Sequence, residues 1–205
     1  MIGITLTTDL FNLYVFFELM AISSYALVAF RKDNFEPIEA AFKYLVMSAV
    51  GSAFVLLGIA ITFMYTGNLQ FVAVAQSITE VPTPVVLLLV GLFLGGFGVK
   101  TAMAPLHTWL PDAHSAAPTG ISAMLSGVVI ETGFFAMLRV LLSVFAGVTV
   151  TMGLVLALLA VLTMFAGNFL ALVQKDVKRM LAYSSVAQIG YVLMGIGLGI
   201  YYGAV

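Results

Sequence analysis

The 22 residues from Val99 to Gly120, VKTAMAPLHTWLPDAHSAAPTG, hold a lysine, an aspartate, both histidines of the chain and three of its six prolines. The protein around them is 62% hydrophobic and only 8% charged, with a mean hydropathy of +1.16. Soluble domains average about 45–50% apolar residues. A lysine followed within a few residues by a proline, in so apolar a chain, reads as an interruption inside a membrane-spanning helix. Proline removes a backbone hydrogen bond and its ring collides with the preceding turn, so Pro105 is expected to kink or break the helix about one turn beyond Lys100. Gly95, Gly96 and Gly98 are expected to loosen the turn before it.

Outward from that stretch, long uncharged runs recur, among them Val81 to Val99 and Val140 to Gln174. A helix needs about 20 apolar residues to cross the hydrocarbon core. Six spans fit, near 10–30, 40–65, 84–108, 119–141, 149–173 and 180–202. Breakers separate them: RKDNFEP, TEVPTP, LPDAHSAAPTG and QKDVKR. Cytoplasmic loops carry the excess of lysine and arginine. Alternating six spans gathers Arg31, Lys32, Lys43, Lys175, Lys178 and Arg179 on one side and leaves Arg139 alone on the other. The expected architecture is an all-α, polytopic transmembrane helical bundle of about six spans with one discontinuous helix, in one transmembrane domain over 1–205. Both ends of the chain are expected outside the cytoplasm, and MIGITLTTDL reads like the tail of an earlier helix.

The formal net charge of −1 gives no electrostatic footprint for nucleic acid. There is no cysteine, which excludes disulfides, thiolate-bound iron–sulfur clusters and c-type haem attachment. No basic n-region or small-residue cleavage site is visible near the N-terminus, so no signal peptide is expected. No nucleophile–base motif, metalloprotease helix or nucleotide fingerprint is present, and no cofactor of the chain's own is expected. His107, Asp112 and His114 lack the fixed spacing of a zinc motif, so no metal is expected either. They are assigned to a reversing loop near the cytoplasmic surface, with Pro111 and Pro118 fixing the turn and Thr119 capping the next helix. Trp109, Tyr14, Tyr65, Tyr201 and Tyr202 fall near span ends, where interfacial anchoring accounts for them.

Three spans carry an ionisable residue near mid-depth: Glu18, Lys100 and Glu131. At about 1.5 Å per residue, Glu18 lies roughly 12 Å and Glu131 roughly 18 Å from the start of its span. A charge at the membrane centre costs about 2.5–3.5 kcal/mol on insertion scales. One return for that cost is an ion pair that locks helices together. The other is proton exchange, because burial disfavours the charged forms of lysine and glutamate while pairing favours them, so separating the partners moves a proton. Broken helix at membrane depth is tolerated only against protein or water, and transporters use such breaks to face ions. Glu18, Lys100 and Glu131 are therefore the relay candidates, with Pro105 as the helix break. His107, His114, Ser184 and Gln188 are candidates for the path or for proton uptake. Ser184 and Gln188 share one helical face, which polar packing between helices would explain equally well.

The segments DLFNLYVFFELMAISSYALVAF, FGVKTAMAPLHTWLPDAHSAAPTG and DVKRMLAYSSVAQIGYVLMGIG together resemble the antiporter-like, proton-translocating subunits of respiratory complex I. The resemblance extends to Mrp-type sodium/proton antiporters and membrane-bound energy-converting hydrogenases. It runs over nearly the whole chain, is strongest in the lysine-to-PLHTWLPDAH block, and is nearest in flavour to the Mrp D-type or hydrogenase-associated subunit.

It implies an inverted-repeat fold of two five-helix units, each with a broken helix, and a Glu18–Lys100 pair at the input end of a proton path. It also implies other membrane subunits as partners, protons or sodium as the ions moved, and redox chemistry confined to those partners. An NADH-quinone oxidoreductase-like or hydrogenase complex is the implied assembly, in the cytoplasmic membrane. Two positions depart from the pattern: Glu131 stands where many relatives carry lysine, and Gln188 where some carry histidine. On this reading the sequence stops before the second broken helix and holds most of one half-channel and the beginning of the next.

Overall fold

The computed structural model describes residues 1–31, 34–145 and 149–203, so the expected loop cation Lys32 lies outside the described residues. A short α1 (Ile2–Leu6) leads into α2 (Leu10–Val28) and the long α3 (Phe35–Thr66). The connection after α3 contains α4 (Phe71–Ser77) and a 3-10 turn (Ile78–Glu80), and then comes α5 (Thr83–Lys100). The chain resumes helix at α6 (Trp109–Ala116) and α7 (Thr119–Met124). A π-helical turn (Leu125–Ile130) joins α7 to α8 (Glu131–Val144), and α9 (Thr149–Leu172) and α10 (Val177–Tyr201) follow. Among the described residues, six helical segments are long and apolar enough to cross a membrane: Leu10–Val28, Phe35–Thr66, Thr83–Lys100, Thr119–Val144, Met152–Leu172 and Val177–Tyr201. This is the expected all-helical bundle with one discontinuous helix, and the chain is a multi-pass integral membrane protein.

In lipid there is little hydrophobic drive between helices, so close backbone approach through small residues supplies the packing. α3 meets α5 at Gly51 and Gly96, where a Cβ built on Gly96 would lie 2.7 Å from the Gly51 carbonyl oxygen. α9 and α10 form an intimate antiparallel pair, where a Cβ on Gly167 would lie 2.6 Å from the Ala187 backbone nitrogen. Gly91, on the same helix as Gly96, meets nothing within 4 Å. Gly95, Gly96 and Gly98 do not loosen the helix, since α5 stays regular through them and Gly96 and Gly98 are buried.

The break differs from expectation in where it begins. α5 ends at Lys100 itself, five residues before Pro105, and helix resumes only at Trp109. Ala102 takes a left-handed backbone (φ 54°) and the Ala104–Pro105 peptide is cis. Of the residues expected in a reversing loop, Pro111, Asp112 and His114 lie in α6, with Pro111 buried inside its first turn, while His107 precedes the helix. Thr119 is the first residue of α7 rather than its cap, and no side chain caps that end. Prolines at α6 and α7 sit where a helix start tolerates the missing N–H.

Charge divides between the two ends of the bundle. At one end Asp112 of α6 receives Arg179 at 2.7 Å and Lys43 at 3.2 Å, and Lys43 also pairs with Glu39 at 2.9 Å. At the other end Arg139 donates to the last carbonyls of α1, Ile4 at 3.2 Å and Thr5 at 2.7 Å, and lies over the Phe71 ring. Its guanidinium serves a helix C-terminus, which explains the single cation at the end poor in lysine and arginine.

Candidate functional site

Lys100 is the last residue of α5, and its side chain is 2% exposed. Its ammonium lies 3.6 Å from a Glu18 carboxylate oxygen and 3.2 Å from the Tyr25 hydroxyl, to which it donates. The rings of Phe17 and Tyr25 lie 5.2 and 5.7 Å from the nitrogen and offer their faces to it. Glu18 accepts a hydrogen bond from Ser52, and Tyr25 donates to Ser48. α2 brings Glu18 and Tyr25 to one side because seven residues make two turns. α3 supplies the two serines four residues apart on one face. The helix end matters here, because the terminal carbonyls of α5 carry partial negative charge beside the ammonium.

Aromatic packing holds the break in place. Trp109, 1% exposed, stacks on Tyr44 at 3.9 Å between ring centroids. Its indole N–H donates to the Val99 carbonyl at 2.7 Å. Trp109 is therefore a buried strut across the break and not the interfacial anchor expected of it. Tyr65, Tyr201 and Tyr202 are exposed, as an interfacial position requires. The backbone N–H of Ala104, inside the break, donates to the Thr163 hydroxyl of α9 at 3.1 Å. Irregular backbone is thus satisfied by side chains from neighbouring helices, as the membrane interior demands.

Of the sequence-predicted site residues, the structure brings Glu18 and Lys100 together. Glu131 is not with them: it is exposed, and no salt bridge or hydrogen bond to it is seen among the described residues. Gly133 is the α8 residue that faces the break, its Cβ position 3.7 Å from the Lys100 Cβ. Residues two apart on a helix point about 200° apart, so Glu131 faces away. Pro105 lies in the irregular segment and is exposed.

The histidines lie between the third and fourth spans. His114 is 3% exposed; its Nδ1 is 2.8 Å from the Ser122 hydroxyl, and its Nε2 is buried without a partner among the described residues. Burial, reinforced by the Lys178 cation, pushes His114 down to about 4. His107 lies edge-on to Tyr183, with ring centroids 6.1 Å apart. Ser122, Ser126, Ser184, Ser185 and Gln188 line a cavity of about 320 Å³ with His114 and Lys178. Ser184 and Gln188 are thus both on one groove wall. Sequence reasoning missed Tyr25, Ser48, Ser52 and Trp109. The signal for Ser48 and Ser52 was a file of hydroxyls, Tyr44, Ser48 and Ser52, at four-residue spacing in one span.

Residues 7–205 match the family model described as NADH:quinone oxidoreductase/Mrp antiporter, TM. Among curated relatives, NADH-quinone oxidoreductase subunit N of Desulforudis audaxviator is 37% identical over 202 residues, covering 97% of this chain and 40% of its own length. Among solved structures, the membrane-bound sulfane sulfur reductase, an archaeal respiratory membrane complex, contains a chain 38% identical with a TM-score of 0.86, covering 95% of this chain and 40% of that one. The Mrp complex from Dietzia sp. DQ12-45-1b contains one 28% identical with a TM-score of 0.87, over 96% of this chain and 37% of that one. The chain spans about two fifths of the length of such relatives. It belongs to the NADH:quinone oxidoreductase/Mrp antiporter transmembrane family.

Proposed function

We propose that this chain is the ion-translocating part of an antiporter-like membrane subunit, a single transmembrane domain working beside other membrane subunits in a redox-driven or antiporter complex. It moves protons, alone or in exchange for sodium, and supplies no redox chemistry of its own. The observation that carries this reading is the buried Lys100 ammonium, at the end of an interrupted helix and 3.6 Å from Glu18. Proton loss by the lysine and proton gain by the carboxylate each cancel the partner's counter-charge, so the two events are coupled. Glu18 and Lys100 form the first station and Glu131 the next. The groove with His114, Ser184 and Gln188 serves proton uptake toward Glu131, and His107 stands within the break. His114 in its neutral form can pass a proton by accepting at one ring nitrogen and releasing at the other.

The rival reading is an ion-pair lock, favoured by the Ser52 and Tyr25 bonds that hold the pair in place. Lys100→Ala in the intact complex is expected to abolish proton-coupled transport while the complex still assembles. Full transport in that variant overturns the relay. Replacing Glu18 and Lys100 together with apolar residues separates the readings, because a lock recovers both assembly and transport and a relay recovers assembly alone.

A further inference from the structure

Lys100 has two acceptors, and they are built alike. On one side the Glu18 carboxylate is held by Ser52, and on the other the Tyr25 hydroxyl is held by Ser48. The two serines sit one turn apart on α3, about 6 Å along the axis, and both are buried. Tyr25 is the nearer partner, 3.2 Å against 3.6 Å. Among the described residues Glu18 is the single charged group facing the ammonium. α3 brings Ser48 and Ser52 to its two acceptors, and α8 packs Gly133 against the base of the lysine, 3.7 Å from its Cβ.

A cation with one anionic partner in the membrane would be stranded whenever that partner took up a proton, and a buried unpaired charge is costly. We propose that the Tyr25–Ser48 hydroxyl pair is a second seat for Lys100, which holds the amine in place when Glu18 is neutral. Tyr25 is then a positioning residue for the relay. Its hydroxyl proton points at Ser48 while its oxygen accepts from the ammonium. When Lys100 has released its proton, the Tyr25 O–H can turn and donate to the neutral amine. Ser48 then returns its own hydroxyl to an α3 backbone carbonyl, as Ser24 already does with Met20 and Ala21. The phenol keeps its proton throughout; only hydrogen bonds change direction. The flexible four-carbon stem of lysine permits the small movement between the seats. Simple interhelical glue would not require the tyrosine oxygen to contact the ammonium.

This inference rests on the proposed relay, and its test keeps the two apart. Proton translocation by the intact complex is measured in proteoliposomes from about pH 6 to about pH 9. Tyr25→Phe keeps the ring and removes the acceptor. It is expected to assemble normally, to slow translocation about tenfold, and to move the alkaline limb of the pH profile about one unit toward acid. Ser48→Ala shifts the profile in the same direction by less, and Ser48→Thr restores it. A wild-type rate and profile in Tyr25→Phe, with Lys100→Ala inactive, overturns the second seat and leaves the relay standing. Activity in Lys100→Ala overturns the relay itself. Should Tyr25→Phe fail to assemble, the serine pair decides: a shift in Ser48→Ala that Ser48→Thr lacks supports the seat, and equal profiles in both refute it.

Discussion

Trp109 reaches back across eight residues of non-helical chain to donate its indole N–H to the carbonyl of Val99, the residue before Lys100. That bond ties α6 to the end of α5, and the Tyr44 stack ties both to α3. The Val99 carbonyl also accepts from the Ala102 N–H at 3.2 Å, so losing the indole does not orphan it. Trp109→Phe is therefore expected to cost the net worth of one buried hydrogen bond, about 0.5–1.5 kcal/mol, plus some packing. Thermal unfolding in detergent measures it, and a variant as stable as the wild type removes the strut from the account.

At the α3–α5 crossing, Gly96→Ala places a methyl 2.7 Å from a backbone oxygen, which neither helix can move cheaply. Overpacking of this kind costs about 1–3 kcal/mol. Gly91→Ala, one and a half turns away on an open face, is expected to be neutral or slightly stabilising. Equal melting behaviour of the two would mean that the helices do not approach as described.

Asp112 stands between Lys43 and Arg179, so Asp112→Asn leaves two cations facing each other across α6. Stability is expected to fall in dilute buffer, and the deficit to shrink as salt is added, since partly exposed charges are screened. A deficit that ignores ionic strength would point to lost hydrogen bonding instead.

Glu18 and Glu131 are expected to differ when each is changed to glutamine. Glu18→Gln weakens a formed pair and should lower both stability and transport. Glu131, exposed and without a hydrogen-bond or ion-pair partner among the described residues, should lose transport with little change in melting. Identical stability losses would put Glu131 in a contact the structure does not contain.

His114 lies outside the six spans, buried and pushed down to about 4. A lowered histidine pKa means the ring charges only as pH falls through that value, so His114 stays neutral from pH 8 down to about 5. Nitrogen-15 chemical shifts of labelled histidine check this, and a protonated His114 at neutral pH would contradict it.

Much of the fold was legible because membrane spans are set by summed hydropathy, which needs no partner. The buried charges announced themselves for the same reason: Lys100 in GGFGVKTAMAP is costly wherever it points. What hydropathy cannot carry is facing. Glu131 looked equivalent to Glu18 by depth, yet two residues of helix rotation turn it from the break and leave Gly133 there. Trp109 looked interfacial because it follows a span, whereas Tyr44, sixty-five positions earlier, gives it a ring to stack on. Pro105 marked the interruption, but the helix stops at Lys100, where the chain turns through a left-handed Ala102. Tyr25 and Ser48 were invisible as a pair, since a hydrogen bond between two helices leaves no period in either.

The π turn at Leu125–Ile130 makes the fourth span tolerant of a change in length at that one point. Each of its bonds encloses one residue more than a regular turn would. Excising Gly127, an exposed glycine with open space around it, would let the coil tighten to the regular form. The residues after it would stay close to their present phase against Thr119–Met124, with Gly133 still against Lys100, because the bulge already absorbs the extra residue. The same deletion within the regular coil of α8 would rotate everything after it by about 100°.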